Sequence, residues 1–441
     1  MNLYTRNHQV NHLLDVDSYG CLFMYATHRD LTTAPRHIIR LTEDVRPEEL
    51  REAVKIALLR FPEMGLGLTR GEKSYRYRLL DKPPVVLPFE DRSPYYMGSA
   101  DTNGYLFTCG YKGKTIYMEY QHCMSDGRGF NELIKCVLYY YFKLCGKPVE
   151  NDGSIRTLET DYTPEENEDG FIKLRKAHQS DENHYSDVPS FHLPEFDGHE
   201  DDDEWTSEIT LSFPQVRKFI KANDITPLTF LMTAISHALY RTYYVGTDHR
   251  EAIVAEVPMD LRTYIDSPTV RFFVALLDLP FHYEYFSLPF VEAAQKMSEY
   301  FDTQRALPHA AYWALKNANR VFNNHKSDML IDEKEAFMRE QARDYIRRDS
   351  FILTNIGPFH VPVSMEKYIA DFGAILPCAH QPFGILVSSY RNTLKIALSR
   401  RDPRPDLVNN LVQVLEENGF PAQAYSYQFH VTRYDGKKLD E

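Results

Sequence analysis

Gln121-His122-Cys123-Met124-Ser125-Asp126-Gly127 stands between two stretches of different period. Before it, Ile116, Met118 and Tyr120 alternate with Tyr117, Glu119 and Gln121. A period of two predicts a strand with one buried face. After it, Phe130, Leu133, Ile134, Val137, Leu138 and Tyr141 fall on one helical stripe. Gly146 and Pro148 then give the stop signal. His122 is therefore expected in a short turn where a strand leaves a sheet and feeds a helix. Such places hold a side chain from both sides while it faces a cleft.

The chemistry of the turn follows from its residue types. A histidine near its ordinary pKa takes a proton from a hydroxyl or amine at neutral pH. Asp126, four residues on, is placed to anchor the turn to a basic residue. Gly127 allows a tight backbone turn. A capped turn carrying an idle histidine fits the same pattern, so the pattern alone leaves both readings open.

The flanking chain repeats the alternation of strand and helix. Strands are expected at 36–42, 75–80, 105–109 and 115–121, with a hairpin across Lys112-Gly113-Lys114. Pro47 opens a helix with Leu50, Val54, Ala57 and Leu58 on one face. From Lys147 to about Glu204 the chain is polar and turn-rich, ending in Asp201-Asp202-Asp203-Glu204. Beyond it, helices are expected at 213–222, from Pro227 onward, at 290–305, 311–323 and 406–417. Strands are expected at 205–211, 252–257, 351–355, 384–389 and 393–399. The reading is an α/β (α+β) chain in two lobes, 1–175 and 205–441, joined by a polar crossing at 176–204. Each lobe is expected to be a mixed sheet flanked by helices, with the site in the cleft between them.

His122-x-x-x-Asp126-Gly127 resembles the signature of the chloramphenicol-acetyltransferase-like superfamily. That group includes CoA-dependent acyltransferases, alcohol acetyltransferases and the condensation domains of peptide synthetases. Arg60-Phe61-Pro62, Val257-Pro258-Met259-Asp260-Leu261-Arg262, Thr269-Val270-Arg271-Phe272-Phe273 and Thr354-Asn355-Ile356-Gly357 resemble further family segments, in the family's order. The nearest likeness is to stand-alone bacterial alcohol-acetyltransferase-like proteins. Condensation domains usually carry two adjacent histidines, and here the first is Gln121.

The resemblance implies transfer of an acyl group from acyl-CoA, as co-substrate, to an alcohol or amine. His122 would be the general base, and no acyl-enzyme would form. It implies that Asp126 pairs with Arg262 and, with Gly127, supports the site. Thr354 and Asn355 are candidate donors to the oxyanion. Lys395, Arg400 and Arg401 are candidates for the CoA phosphates. Inside the motif, Cys123 is expected to point away from His122 and Ser125 to cap the following helix, which leaves no activated nucleophile. Two alternatives stay open: a condensation-type enzyme fed by an acyl carrier protein, and a catalytically silent scaffold.

Composition sets the outer bounds. The 441 residues are 43% hydrophobic and 26% charged, as in globular proteins. A formal net charge of −13 argues against nucleic-acid binding. The polar stretch Met1 to Val10 does not resemble a signal peptide, and no apolar run reaches the length of a membrane span. Six cysteines without a Cys-x-x-Cys pair read as reduced core residues of a cytoplasmic protein, and no histidines show metal-ligand spacing. Three motifs are decoys. His28-Arg29-Asp30 and Asp371-Phe372-Gly373 imitate kinase motifs without the upstream loop and lysine a kinase requires. The second resembles the Asp-Phe-Gly of plant relatives in the superfamily, a resemblance that implies a structural loop. Gly65 to Gly71 imitates a dinucleotide loop but follows a helix, and is also read as a loop.

Overall fold

The computed structural model describes residues 13–27, 32–89, 96–178, 188–194, 203–378, 381–430 and 439. Met1 to Val10, His28-Arg29-Asp30, Asp201, Asp202 and most of the expected crossing lie outside the described residues.

The first half of the chain runs α1 (Cys21–Ala26), β1 (Arg36–Leu41), α2 (Pro47–Arg60), β2 (Leu66–Arg70), β3 (Tyr75–Leu79), β4 (Val86–Pro88), β5 (Phe107–Lys112), β6 (Thr115–Tyr120), α3 (Gly127–Leu144) and α4 (Gly170–Ala177). Pro47 does open α2, with Glu48 and Glu49 in its first turn, where the helix dipole favours them. Leu50, Val54, Ala57 and Leu58 are fully buried, and α2 packs on α3. The β5–β6 hairpin turns through Gly113 at a φ of 53°.

The second half runs β7 (Asp203–Ser212), α5 (Phe213–Ala222), α6 (Pro227–Leu239), β8 (Ile253–Asp260), β9 (Val274–Phe281), α7 (Phe290–Gln304), α8 (Leu307–Lys326) and α9 (Ile331–Arg348). It continues through β10 (Phe351–Pro358), α10 (Val363–Glu366), β11 (Ile369–Ile375), β12 (Phe383–Tyr390), β13 (Thr393–Arg400), α11 (Asp406–Glu417) and β14 (Gln423–His430). Seven strands form one mixed sheet, ordered β14-β7-β13-β12-β10-β8-β9, in which β10 runs parallel to both its neighbours.

β11 does not join that sheet. It leaves between β10 and β12 and adds to the edge of the first sheet, whose order is β11-β1-β6-β5-β4. There it pairs antiparallel with β1, Ile38 opposite Gly373 and Ile39 opposite Phe372. Phe372 stacks on Phe359 with ring centroids 3.9 Å apart. Asp371 accepts from Arg40 Nη1 of the first sheet at 2.6 Å and also from Lys395 of the large sheet. A strand from residues 205–441 thus completes the sheet of residues 1–175, and side chains on it bind the two sheets together.

Two segments read as loops are strands. Asp371-Phe372-Gly373 lies within β11, and residues 66–70 form β2, paired with β3. The alternation of Leu66 and Leu68 in β2 is interrupted by Gly67. A Cβ there would stand 2.7 Å from the Gly104 carbonyl oxygen, so close packing removes the side chain that would have completed the pattern. Helix α4 falls in the stretch from Lys147 to Glu204 read as polar and turn-rich; Gly170 gives it room against the Phe273 ring.

Because Phe372 is buried where the exchanged strand meets both sheets, Phe372→Ala should destabilise the protein by about 3–5 kcal/mol. Tyr425→Ala, on the exposed edge strand, should change stability by less than about 0.5 kcal/mol. Urea midpoints of the two variants test the contrast.

Candidate active site

β6 ends at Tyr120, and residues 122–124 form the turn before α3. Gln121 shapes this turn from below. Its Oε1 accepts from the Cys123 N–H, and its Nε2 donates to the Phe23 carbonyl at 2.7 Å. The Cys123 carbonyl accepts from the Tyr77 hydroxyl. The backbone around His122 is therefore fixed by the side chains of Gln121, itself tied to the α1 backbone, and of Tyr77 from β3.

Asp126 fixes the far end of the turn. It is the N-cap of α3, with Oδ1 accepting from the Gly129 N–H at 2.9 Å. Its Oδ2 accepts from Arg262 Nη1 at 2.8 Å and from the Phe273 N–H at 2.9 Å. Arg262 also donates to Asp260 Oδ1 at 3.0 Å and to the Thr269 carbonyl at 2.7 Å. Both partners are sealed, with side chains 4% and 6% exposed for Arg262 and Asp126. The expected helix cap, Ser125, has another job: its hydroxyl donates to the Val270 carbonyl. The 269–273 segment thus lies directly on the histidine turn. It lies so close that a Cβ on Gly129 would be 2.0 Å from the Val270 carbonyl oxygen. Gly127 supplies room too, since its φ is not positive and a Cβ there would meet Ile356 at 3.1 Å.

Above the turn is a cavity of about 640 Å³, lined by both sheets and by α1, α3, α8 and α9. His122, Asp126, Gly127, Arg262, Thr354 and Asn355 all line it. The imidazole of His122 is packed against Phe23 at 4.9 Å, Tyr120 at 5.2 Å and Phe272 at 6.2 Å between ring centroids. Burial lowers its pKa to about 4, with the Thr33 backbone opposing weakly. The ring is neutral at pH 7. Its Nδ1 is sealed and has no hydrogen-bond partner of good geometry among the described residues.

Thr354 lies on the face of β10 that meets the cavity, and it is half-buried. Asn355 is exposed, and its Oδ1 accepts from the Gly357 N–H at 2.9 Å, closing a local turn at the left-handed Gly357. Cys123 is fully buried and its thiol is pushed well up by desolvation. Lys395, Arg400 and Arg401 do not line the cavity. Lys395 is spent on Asp371 and Glu208, and Arg400 on the Ser207 hydroxyl at 2.7 Å. The basic residues that do reach the wall are Arg128, Lys135, Arg262 and Arg320.

Sequence reasoning passed over His37. It lies on β1, fully buried beside Tyr120 and Phe130, and lines the same cavity. Desolvation, then the nearby His122, push its pKa down to about 3. It carries no motif; only its place among apolar residues in an alternating strand hinted that it is buried.

No protein-family model matches the chain, and a search among curated proteins finds no match. Solved structures do resemble it. The TRI3 trichothecene 15-O-acetyltransferase from Fusarium sporotrichioides is 11% identical with a TM-score of 0.59, over 92% of this chain and 93% of that one. TRI101 of F. sporotrichioides, solved with coenzyme A and T-2, is 11% identical with a TM-score of 0.57, over 93% and 98%. A starter condensation domain of rhizomide synthetase RzmA, solved with C8-CoA and Leu-SNAC, is 14% identical with a TM-score of 0.51, over 89% of each chain. The chain shares their fold. That is the fold which the motif resemblance implies. Among the described residues, no helix is long and apolar enough to cross a membrane, and no cluster of His, Cys, Asp and Glu is set to hold a metal.

The pairing of Asp126 with Arg262 makes a quantitative demand. Asp126→Ala and Arg262→Ala should each destabilise by about 3–5 kcal/mol, because each strands a buried charge. The double variant should lose less than the sum of the two. Denaturant unfolding of the three variants measures the coupling; strict additivity would refute it.

Proposed function

We propose that the protein moves an acyl group from acyl-CoA to an alcohol or amine, with His122 as the general base. The observation that carries this reading is a desolvated, neutral histidine on the wall of the cavity between the two sheets, in a chain with the fold of acetyltransferases. Nδ1 is sealed, so Nε2 is the nitrogen left to meet a substrate. The acceptor O–H or N–H would give its proton to Nε2 as the new bond to the thioester carbonyl forms. The proton would then pass to the departing thiolate as the carbon–sulfur bond breaks. Thr354, whose hydroxyl is free of hydrogen bonds among the described residues, is our candidate donor to the tetrahedral oxyanion. Asn355, already closing its turn, contributes by shaping β10. Asp126, Gly127 and Arg262 hold the turn and touch no substrate in this scheme.

Direct transfer is favoured over a covalent intermediate. The Cys123 thiol is kept protonated by burial, and the Ser125 hydroxyl is engaged with Val270. A CoA donor is favoured over a carrier-bound one because Gln121 is a structural tie here, where condensation domains usually have a first histidine.

His122→Ala should lower kcat by about a hundredfold or more in a protein that still folds. Acetyl transfer to a panel of alcohols and amines, read by mass spectrometry, is the assay. A base held at about 4 is active when unprotonated, so kcat/KM should stay level as pH falls from 8 and decline only as pH approaches 4. An acidic limb near 6.5 would mean that the imidazole is not desolvated as described.

Initial rates with both substrates varied should give intersecting lines. Parallel lines, with an acyl group found on Cys123 or Ser125 by intact mass, would replace direct transfer by a nucleophilic route.

A further inference from the structure

The cavity has a second buried titratable group that the reaction above does not use. Glu256 lies on β8, on the same face as Pro258 and Asp260, and all three line the cavity. It is 6% exposed, and its Oε2 has no hydrogen-bond partner among the described residues. Four residues of extended strand put it about 13 Å along β8 from Asp260. Asp260 in turn bonds Arg128 and Arg262 beside the histidine turn. The carboxyl is thus at the other end of the cavity from the Asp126–Arg262 pair.

Aromatic rings join the two ends. Phe272 is 6.2 Å from His122 and 5.3 Å from Tyr19, and Phe23 lies against both His122 and Phe272. Tyr19 reaches the neighbourhood of Glu256: burial first, and then the Glu256 charge, raise the pKa of its phenol. The cation whose charge acts on Glu256 is already committed: Arg348 bonds both Asp278 and Asp349. Asp278 stands directly opposite Glu256 across the β8–β9 pair. Three carboxyl groups therefore share one guanidinium, and the one facing the cavity is left over.

We propose that Glu256 selects the acceptor, and that the acceptor carries an ammonium group remote from the hydroxyl or amine that is acylated. A buried carboxyl without a cation of its own, at the end of a wall of tyrosine and phenylalanine faces, offers an ammonium both an ion pair and cation–π contacts. A wholly apolar alcohol would leave that carboxyl desolvated and unpaired. Burial, then Asp349, raise the Glu256 pKa to about 8 in the empty cavity, with Arg348 opposing. An arriving ammonium ion should therefore ionise it and drive a proton into solution at pH 7. The other titratable or charged groups around it are Asp278, Asp349, Arg348 and Tyr19, with His192 beside Asp349 and the exposed Arg320 at the cavity wall.

This inference rests on the acyl-transfer reading only for turnover, so binding is measured separately. The probes are 4-(aminomethyl)benzyl alcohol and its neutral match, 4-methylbenzyl alcohol. Calorimetry without acyl-CoA should show the amino compound binding at least tenfold more tightly at pH 7. Repeating it in buffers of different ionisation heat should show a proton released with the amino compound alone. In Glu256→Gln the affinity ratio should fall toward one and the released proton should vanish. With acetyl-CoA present, the product should be the ester with its amine free, and kcat/KM should show the same preference. Equal affinities for the two probes in the wild-type protein, or no binding of either, would overturn the inference whatever the variant does. Discrimination in binding with no acetyl transfer to either probe would leave Glu256 as a recognition residue and count against the acyltransferase reading instead.

Discussion

The ion pair between Asp126 and Arg262 is the constraint from which the rest of the site follows. Asp126 caps the helix after the histidine turn, accepts from the Phe273 backbone, and meets a guanidinium from the end of β8. Removing two charges from water is costly unless every lone pair and proton finds a partner. Here every side-chain nitrogen and oxygen of the pair has at least one partner, with Asp260 and the carbonyls of Thr269 and Arg271 completing the guanidinium. The consequence is geometric. A turn between β6 and α3 is locked to a segment of the other sheet, so the imidazole keeps one orientation relative to the wall it faces. The same closeness excludes a Cβ at position 129.

The local elements were legible in the sequence because their periods are plain. The alternation from Ile116 to Tyr120 and the stripe from Phe130 to Tyr141 are one-sided burial written directly into residue order. The Asp126–Arg262 contact was reachable only through the family resemblance; nothing local joins residues 136 apart. What stayed hidden had physical reasons. β11 carries Asp371 and Gly373 in the middle of a short strand, and its partner β1 lies more than 300 residues away. β2 loses its alternation to Gly67, which is small because another backbone crosses it. His37 and Glu256 look like ordinary polar residues inside strands. Their meaning lies in which face they occupy and in the absence of a partner there, and both are tertiary facts.

The exchange of β11 bears on how the cavity keeps its shape. If the two sheets met only through loops, their separation would be free to vary. Instead one strand is hydrogen-bonded into the smaller sheet, and its Asp371 is gripped by Lys395 from the larger. Of the residues that suggested a phosphate site by sequence, Lys395 is consumed in this fastening, and Arg400 is bonded to Ser207 within the larger sheet. A chain with a formal charge of −13 has few basic residues to spare. The acyl-CoA proposed as donor would then be left with the cations on the cavity wall, of which Arg128 and Arg320 are exposed.

Desolvation also gives the cavity a single electrostatic rule. It pushes the two histidines down, to about 4 and about 3, and the Glu256 carboxyl up, to about 8. Signs differ because burial always disfavours the charged form, which is the acid of an imidazole and the base of a carboxyl. At pH 7 the histidines, and most of the Glu256 carboxyl groups, are therefore neutral while the cavity is empty. Charge enters with the ligands. In the proposed reaction an imidazolium forms at His122 only as the acceptor loses its proton, and the Glu256 carboxylate is stabilised only when a cation arrives to face it. These three buried groups, neutral at pH 7, cost little to keep folded, and in the proposed reaction they hold their strongest interactions in reserve for the complex with both substrates.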